Sequence, residues 1–389
     1  LIPAEQIISL NSGWNIISSF VEPENDTIPN IFEDVVSNIK IVKNGIGQMY
    51  DPAFNINTIG NWNYVDGYLV NMLNEDVLTI YGTKLLPEET PINLNNGWNL
   101  SAYLRDNQMS PTTALSSITS SLVLAKDNVG GIFMPEYGIN TLGNMQAGQG
   151  YYFYMNAVAE LTYPANSAQK AVAGDEMTPL AKYNIPTMKN TGKNATLLIS
   201  IESNDGNEIG VYNMKNELIG AGAIHNGVAA ITIWGDDEAT QSVDGAKDNE
   251  YLNVKLHNAT NNTSKEISLT QIKEITGNTE QSELYYKTNS IYLAKASAND
   301  ESGFAMSIKN IPNPVESNVV LEFTLTDEAN AEIQIYTSTG ELVAKIGNNV
   351  YSAGIHRISF DASNLSNGMY NIVLSSGDRR VTSFMVVNK

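Results

Sequence analysis

The alternation of apolar and polar residues is clearest in the last part of the chain. Val319, Leu321, Phe323 and Leu325 fall on one side of a predicted strand, with Glu322, Thr324 and Thr326 on the other. Ile333 and Ile335 alternate with Glu332 and Gln334, and Ile358 and Phe360 with Arg357 and Ser359; Tyr370, Ile372 and Leu374 follow. Period two with Gly and Asn turns predicts an antiparallel sandwich of about seven strands over 309–389. Further strands are predicted over 195–202, 208–213, 229–234 and 250–258. Turn signals at Asn226-Gly227 and Asp244-Gly245 separate them, which predicts a second sandwich over 183–296.

The first part of the chain repeats itself. "LNSGWNIISSF" (10–20) returns as "LNNGWNLSAYL" (94–104), with Trp98 standing 84 residues after Trp14. "NINTIGN" (55–61) returns as "GINTLGN" (138–144), and "DGYLV" (66–70) as "QGYYF" (149–153), both 83 residues on. Two units are expected, 1–86 and 87–166. Each opens on a strand and a turn whose glycine, Gly13 or Gly97, allows positive φ. Ile31, Phe32, Val35, Val36 and Ile39 lie at helical spacing, as do Leu115, Ile118 and Leu122, so each unit is expected to hold one helix. Pro29 and Pro111 suit a first helical turn, and Ser110 suits a cap. Lys-containing strands (41–44, 123–126) and closing strands (67–73, 150–156) complete the units. Aperiodic stretches at 167–182 and 297–308 read as linkers. The fold class is mainly β: a tandem multidomain array of β-rich repeats and immunoglobulin-like β-sandwiches.

The length suffices for two to four cores. The net charge of −20 and pI near 4.5 exclude the basic footprint of nucleic-acid binders. No apolar run is long enough for a membrane-spanning helix. "LIPAEQIISL" lacks the features of a signal peptide, so the chain is expected to be mature or a fragment. The absence of cysteine excludes disulfides and thiolate chemistry.

Several motifs in 309–389 carry a resemblance: "IPNP" (311–314), "VVLEFTL" (319–325), "AEIQIYTSTGELV" (331–343), "SAGIHRISFDASNLSNGMYNIVL" (352–374) and "RRVTSFMVVNK" (379–389). Together they resemble the type A C-terminal sorting domain of the Bacteroidetes type IX secretion system. The resemblance covers about a fifth of the chain. It implies the secretion machinery as partner, and a secreted or outer-membrane cell-surface location. The motif positions are Pro312, Asn313, Pro314, Tyr336, Gly340, Gly354, Gly368 and Tyr370. Gly340 and Gly354 suit tight turns, and Asn367-Gly368 is a hairpin signal. Pro312 and Pro314 are expected to keep the first strand extended and unpaired. More loosely, 208–258 resembles a sandwich module preceding such domains, and the GWN units resemble repeats of similar secreted proteins. Asp26-Thr27-Ile28 fits the short O-glycosylation pattern of these bacteria.

Candidate chemistry is sparse. His225, His257 and His356 stand in separate contexts, and neither His-x-x-x-His, Gly-x-Ser-x-Gly nor a phosphate loop occurs. His356 reads as an outward strand residue. Asp236, Asp237, Asp244 and Asp248 offer hard oxygen ligands for structural calcium between Gly235 and Gly245, although EF-hand spacing is missing. The competing reading is turn capping. Trp14, Trp62, Trp98, Tyr152 and Tyr154 are either glycan-stacking platforms or core anchors. Turn glycines that recur with the Trp favour the anchor. In the aromatic run 151–154, alternation places two rings on each sheet face, one face core and the other exposed or interdomain. Asn57-Thr58 and Asn140-Thr141 are expected to make local turn bonds. The expected function is non-catalytic, without cofactor: a structural stalk with a secretion and attachment signal. The alternatives are a glycan-binding adhesin or accessory module, or a self-associating filament subunit.

Overall fold

The computed structural model describes residues 2–167, 177–186, 190–237, 240, 242–296, 306–325, 327–352 and 354–389. Much of both expected linkers, and Thr326, lie outside the described residues. The chain is mainly β and divides into two compact units, Leu1–Ser264 with Leu269–Ala296, and Lys265–Ser268 with Ser297–Lys389.

Two five-stranded sheets of the first unit have the same strand order. One runs Gly13–Ile17, Tyr68–Met72, Ile39–Lys43, Met49–Asp51, Ile56–Asn57. The other runs Gly97–Ala102, Gly150–Met155, Leu122–Lys126, Ile132–Met134, Ile139–Asn140. The turn before each first strand is locked by the asparagine that follows the Trp. Asn15 Nδ2 donates to the carbonyls of Asn11 (2.7 Å) and Gly13 (3.1 Å), and Asn15 Oδ1 accepts from Asn11 N–H. Asn99 makes the same three bonds to Asn95 and Gly97. Gly13 and Gly97 hold φ of +84° and +89°, where a side chain would be strained. Asn57 and Asn140 each accept a backbone N–H three residues on, from Gly60 and Gly143. Thr58 and Thr141 hydroxyls each accept one from a neighbouring strand, at Met49 and Ile132.

The two sheets meet through reciprocal backbone bonds. Ser18 N–H donates to Gly148 O and Ala102 N–H to Val65 O, each 3.0 Å. Bridges Ile17–Gln149 and Asp66–Ser101 lie beside them. Each contact maps onto the other under the sequence repeat, which is the mark of an isologous, two-fold-related interface. Gly67 and Gly150 stand at the closest approach. A Cβ on Gly150 would lie 2.8 Å from Ile17 O, 2.9 Å from Ile16 Cγ2 and 3.3 Å from Gly67 Cα. One on Gly67 would lie 3.0 Å from Leu100 Cδ1 and from Ser101 O.

The expected helices shrink to single turns. Ile28–Ile31 is one α-helical turn, continued by the 3₁₀ segment Glu33–Asn38; Pro111–Ala114 is likewise followed by 3₁₀ at Ser116–Ile118. So short a segment cannot offset its nucleation cost alone. Burial of Ile28, Ile31, Phe32 and Val35 fixes the first in place. Ser110 caps the second by accepting Thr113 N–H, whereas Thr27 makes no side-chain cap bond.

A nine-stranded sheet follows. Its interior strand Asn194–Ile201 pairs antiparallel with Val228–Trp234 and parallel with Ile291–Ala296. His225 pairs with Val228 across Asn226 (φ +51°) and Gly227 (φ +74°), a two-residue hairpin. Glu208, 1% exposed, accepts the backbone N–H groups of Lys182, Tyr183 and Asn184, which fixes the incoming segment.

The second unit pairs a three-stranded sheet (Ser307–Ile311, Asn318–Leu325, Gly354–Asp361) with a four-stranded one (Leu342–Tyr351, Ala329–Thr337, Gly368–Ser376, Arg379–Val387). Val319, Leu321, Phe323 and Leu325 bury against Ile333, Ile335, Tyr370, Ile372 and Leu374. Two expectations fail here. The first strand is paired up to Ile311, opposite Val320, and ends at Pro312, which has no N–H to continue the ladder. Asn367-Gly368 joins strands of different sheets and closes no hairpin, because Asp361 and Gly368 belong to opposite layers. The two-residue hairpin is instead Gly377-Asp378, between the paired Ser376 and Arg379.

Candidate functional site

The recurring tryptophans do not enter the cores of their own units. Antiparallel pairing sets Trp98 opposite Tyr154, and alternation sends Tyr151 and Phe153 into the core of 87–166 while Tyr152 and Tyr154 face away. That outward face is covered. Trp98, Tyr154, Leu124, Ile132, Met134 and Ile139 form one apolar cluster with Leu198, Ala230 and Ile291 of the nine-stranded sheet. Trp98 Nε1 donates to Asn289 O at 2.9 Å, and its ring meets Tyr152 and Tyr154 edge-on at 5.9 and 5.1 Å. Trp14, 7% exposed, donates from Nε1 to Asp237 Oδ2 at 3.0 Å. Its ring lies against Gly192, where a Cβ would stand 2.6 Å from the indole nitrogen. Trp62, 4% exposed, is buried in the core of 1–86, stacked on Tyr68 at 4.1 Å. Trp14, Trp98 and Tyr154 thus pack against the nine-stranded sheet and its flanking loops, Tyr152 lies against Trp98 and Lys126, and Trp62 fills a core.

Each seam tryptophan also carries a lysine on its face. Lys43 Nζ stands 5.3 Å from the Trp14 ring and Lys126 Nζ 4.4 Å from that of Trp98. Lys126 comes 83 residues after Lys43, in step with the repeat. It is 3% exposed, donates to Asn194 Oδ1 at 2.6 Å and lies 5.6 Å from the Tyr152 ring. Burial brings its pKa down to about 7. The same burial raises Tyr152 to about 12. Beside it, burial raises Asp127 to about 6, against the opposing bonds from Gly131 and Val129 N–H. Sequence reasoning missed Lys126, Asn194 and Gly192. The recurrence of Lys43 and Lys126 was a usable signal for the first; the other two have none.

The four aspartates bond to their own loop, to Trp14 and to Thr288. Asp236 Oδ1 accepts Asp244 N–H and Asp244 Oδ1 accepts Asp237 N–H, so these side chains close the turn on each other. Asp237 holds Trp14, and Asp248 Oδ1 accepts the backbone and hydroxyl of Thr288. Among the described residues no group of three or more His, Asp or Glu could hold a metal. The geometry follows turn capping. The histidines stay apart: His225 near Asp205, His257 on Ser264, and His356 on Ser352 O. His356 is half-buried and not outward as expected, with its ring 5.3 Å from Phe323 and 5.0 Å from Tyr351. Thr27 is exposed, its hydroxyl donating to Asn25 Oδ1.

The motif residues of 309–389 shape its chain reversals and edges. Gly340, at φ +89°, closes the turn between Thr337 and Glu341. Asn313 Oδ1 accepts Val386 N–H and its Nδ2 donates to Phe384 O, tying the Pro312/Pro314 segment to the last strand. Tyr370 OH donates to Ser366 O at 2.9 Å, a bond back to the upstream backbone of the kind found at sandwich corners. Tyr336 OH donates to Gln334 Oε1, and Gly354 opens the strand Gly354–Asp361.

No curated protein matches the sequence. Among solved structures, the chain is similar to dimeric latent PorU from Porphyromonas gingivalis at 11% identity, covering 60% of this chain and 36% of that one, with a TM-score of 0.20. It is similar to the Bacillus anthracis TIE protein at 10% identity (99% and 73% covered, TM-score 0.14). The BSP domain of a biofilm associated protein gives 10% identity (99% and 67% covered, TM-score 0.19). The chain spans little more than a third of PorU, and at these TM-scores none of the three bears on fold or function. Residues 309–388, in contrast, match the family described as secretion system C-terminal sorting domain. The chain therefore carries a type IX secretion signal, and is a cargo of that system delivered to the extracellular space or the cell surface.

Proposed function

We propose that the chain is a non-catalytic structural region, in which residues 2–296 form a stalk and 309–388 the export and attachment signal. The observation that carries this reading is the burial of the motif tryptophans. A glycan platform needs an open ring face, but Trp14 and Trp62 are 7% and 4% exposed, and Trp98 lies under the nine-stranded sheet. The repeat is accordingly a duplicated structural unit whose aromatics join modules. Glycine at Gly67 and Gly150 serves the same end by letting the two units approach.

The test is a pair of measurements on the chain expressed in a type IX-competent cell. Deletion of 309–388 should hold it inside the outer membrane. Trp14→Ala with Trp98→Ala should leave delivery intact but expose the surface protein to added protease. Tryptophan emission that changes on adding neutral or acidic oligosaccharides, and loses that change in the double variant, would sink the stalk reading in favour of glycan binding by these aromatics.

A further inference from the structure

One cleft of the first unit has the composition of a ligand site. It lies beside the nine-stranded sheet and encloses about 750 Å³, within the size range of small-molecule sites. Tyr137 forms one wall, while Leu198 and Leu293 line the floor. These two leucines are opposite each other in parallel register, and Lys273 is opposite Leu293 on the other side. Lys295 is two residues on from Leu293. Floor and cations therefore share one face of the sheet.

Two features are unexplained by the fold. Lys273 and Lys295 make no ion pair among the described residues, although Glu280, which also lines the cleft, stands opposite Lys273, in a chain of net charge −20 where acids outnumber bases 42 to 22. Gln271, also on the cleft, holds φ +51° where the register slips between Thr270 and Lys273. Bulges of this kind recur beside binding sites, where they re-aim side chains.

We propose that this cleft binds an acidic saccharide, one hexuronate-type residue of a chain. Leu198, Leu293 and the Tyr137 ring receive the apolar C–H face of the sugar. Lys273 and Lys295 take its carboxylate, as charge-assisted donors. Ser200, which also lines the cleft, adds a hydroxyl partner. Neutral sugars meet the floor but leave both cations unpaired.

The test is isothermal titration of the full chain at low salt with trigalacturonate, and with maltotriose as the neutral comparator. Saturable binding of trigalacturonate is expected, with maltotriose at least about tenfold weaker. Lys273→Gln with Lys295→Gln, at two exposed positions, should weaken trigalacturonate by about tenfold or more. Lys40→Gln, an exposed lysine on another sheet, should leave it unchanged and so exclude diffuse charge attraction. The proposal is overturned by absence of binding up to about 10 mM, by equal binding of maltotriose, or by a double variant that binds as the parent does.

Discussion

Lys126 is the most consequential single side chain of the seam. Trp98 and Tyr152 cover it from the repeated sheet and Asn194 bonds it from the nine-stranded sheet; no carboxylate pairs with it among the described residues. Burial lowers its pKa from 10.5 to about 7, which corresponds to roughly 5 kcal/mol against the charged form. The sign follows from linkage. In the unfolded chain Lys126 keeps its proton until about pH 10.5, whereas in the fold it gives it up near pH 7. Between these values the unfolded state binds more protons, so stability rises with pH. Below about 7 both states are protonated and the penalty is full. Lys126→Met keeps the volume and removes the charge. It should raise the urea midpoint at about pH 6 by the equivalent of up to about 5 kcal/mol, with the difference shrinking toward pH 10. Taking variant minus parent at each pH cancels the titration of every other group. A Met variant that is less stable at pH 6, or a difference constant across the range, would refute the reasoning: the lysine would then hold the seam by its ring contacts and not burden it by its charge.

Four further outcomes follow from the geometry. Gly150→Ala should cost about 1–3 kcal/mol in urea unfolding, because its Cβ meets the backbone oxygen of Ile17, which cannot move aside alone. Asn15→Ala should lose about 1–2 kcal/mol by opening the locked turn, and Asn99→Ala less, since Asn15 is 5% exposed and Asn99 lies in a more exposed turn. At Glu274 burial works against the charge, but bonds from Ser290, Lys287 and Thr276 prevail and hold its pKa below the usual 4.5. Its stabilisation is present above pH 4.5 and lost as pH falls through the lower folded value, so Glu274→Gln should flatten the acid limb of the stability curve. Tyr370→Phe should lower the stability of the sorting domain by about 1 kcal/mol in a thermal melt, through loss of the bond to Ser366 O.

The strands were legible because their signal is local. Val319 to Leu325 alternate whatever lies opposite, and the layer they enter follows from the pattern alone. The helices were misjudged because Ile31, Phe32, Val35 and Val36 satisfy helical spacing over barely two turns, a length at which packing, not periodicity, selects between α and 3₁₀. The turn of the GWN motif follows from its own residues, but its tryptophan packs outside the core of its unit and not within it. The sequence around Trp14 holds everything needed to see the turn, since Asn15 and Gly13 act within five residues of each other. It holds nothing of Gly192 or Asp237, which meet the indole from about 180 and 220 residues away. The same holds for the aspartates of 236–248, whose reciprocal bonds depend on loop geometry that composition does not encode. Duplication explains why so much was recoverable: recurring residues close their own turn, meet the other copy across the two-fold-related interface, or, like Trp14 and Trp98, reach the module that follows. Gly67 and Gly150 are the clearest case, invisible as contacts in one unit and obligatory once two units face each other.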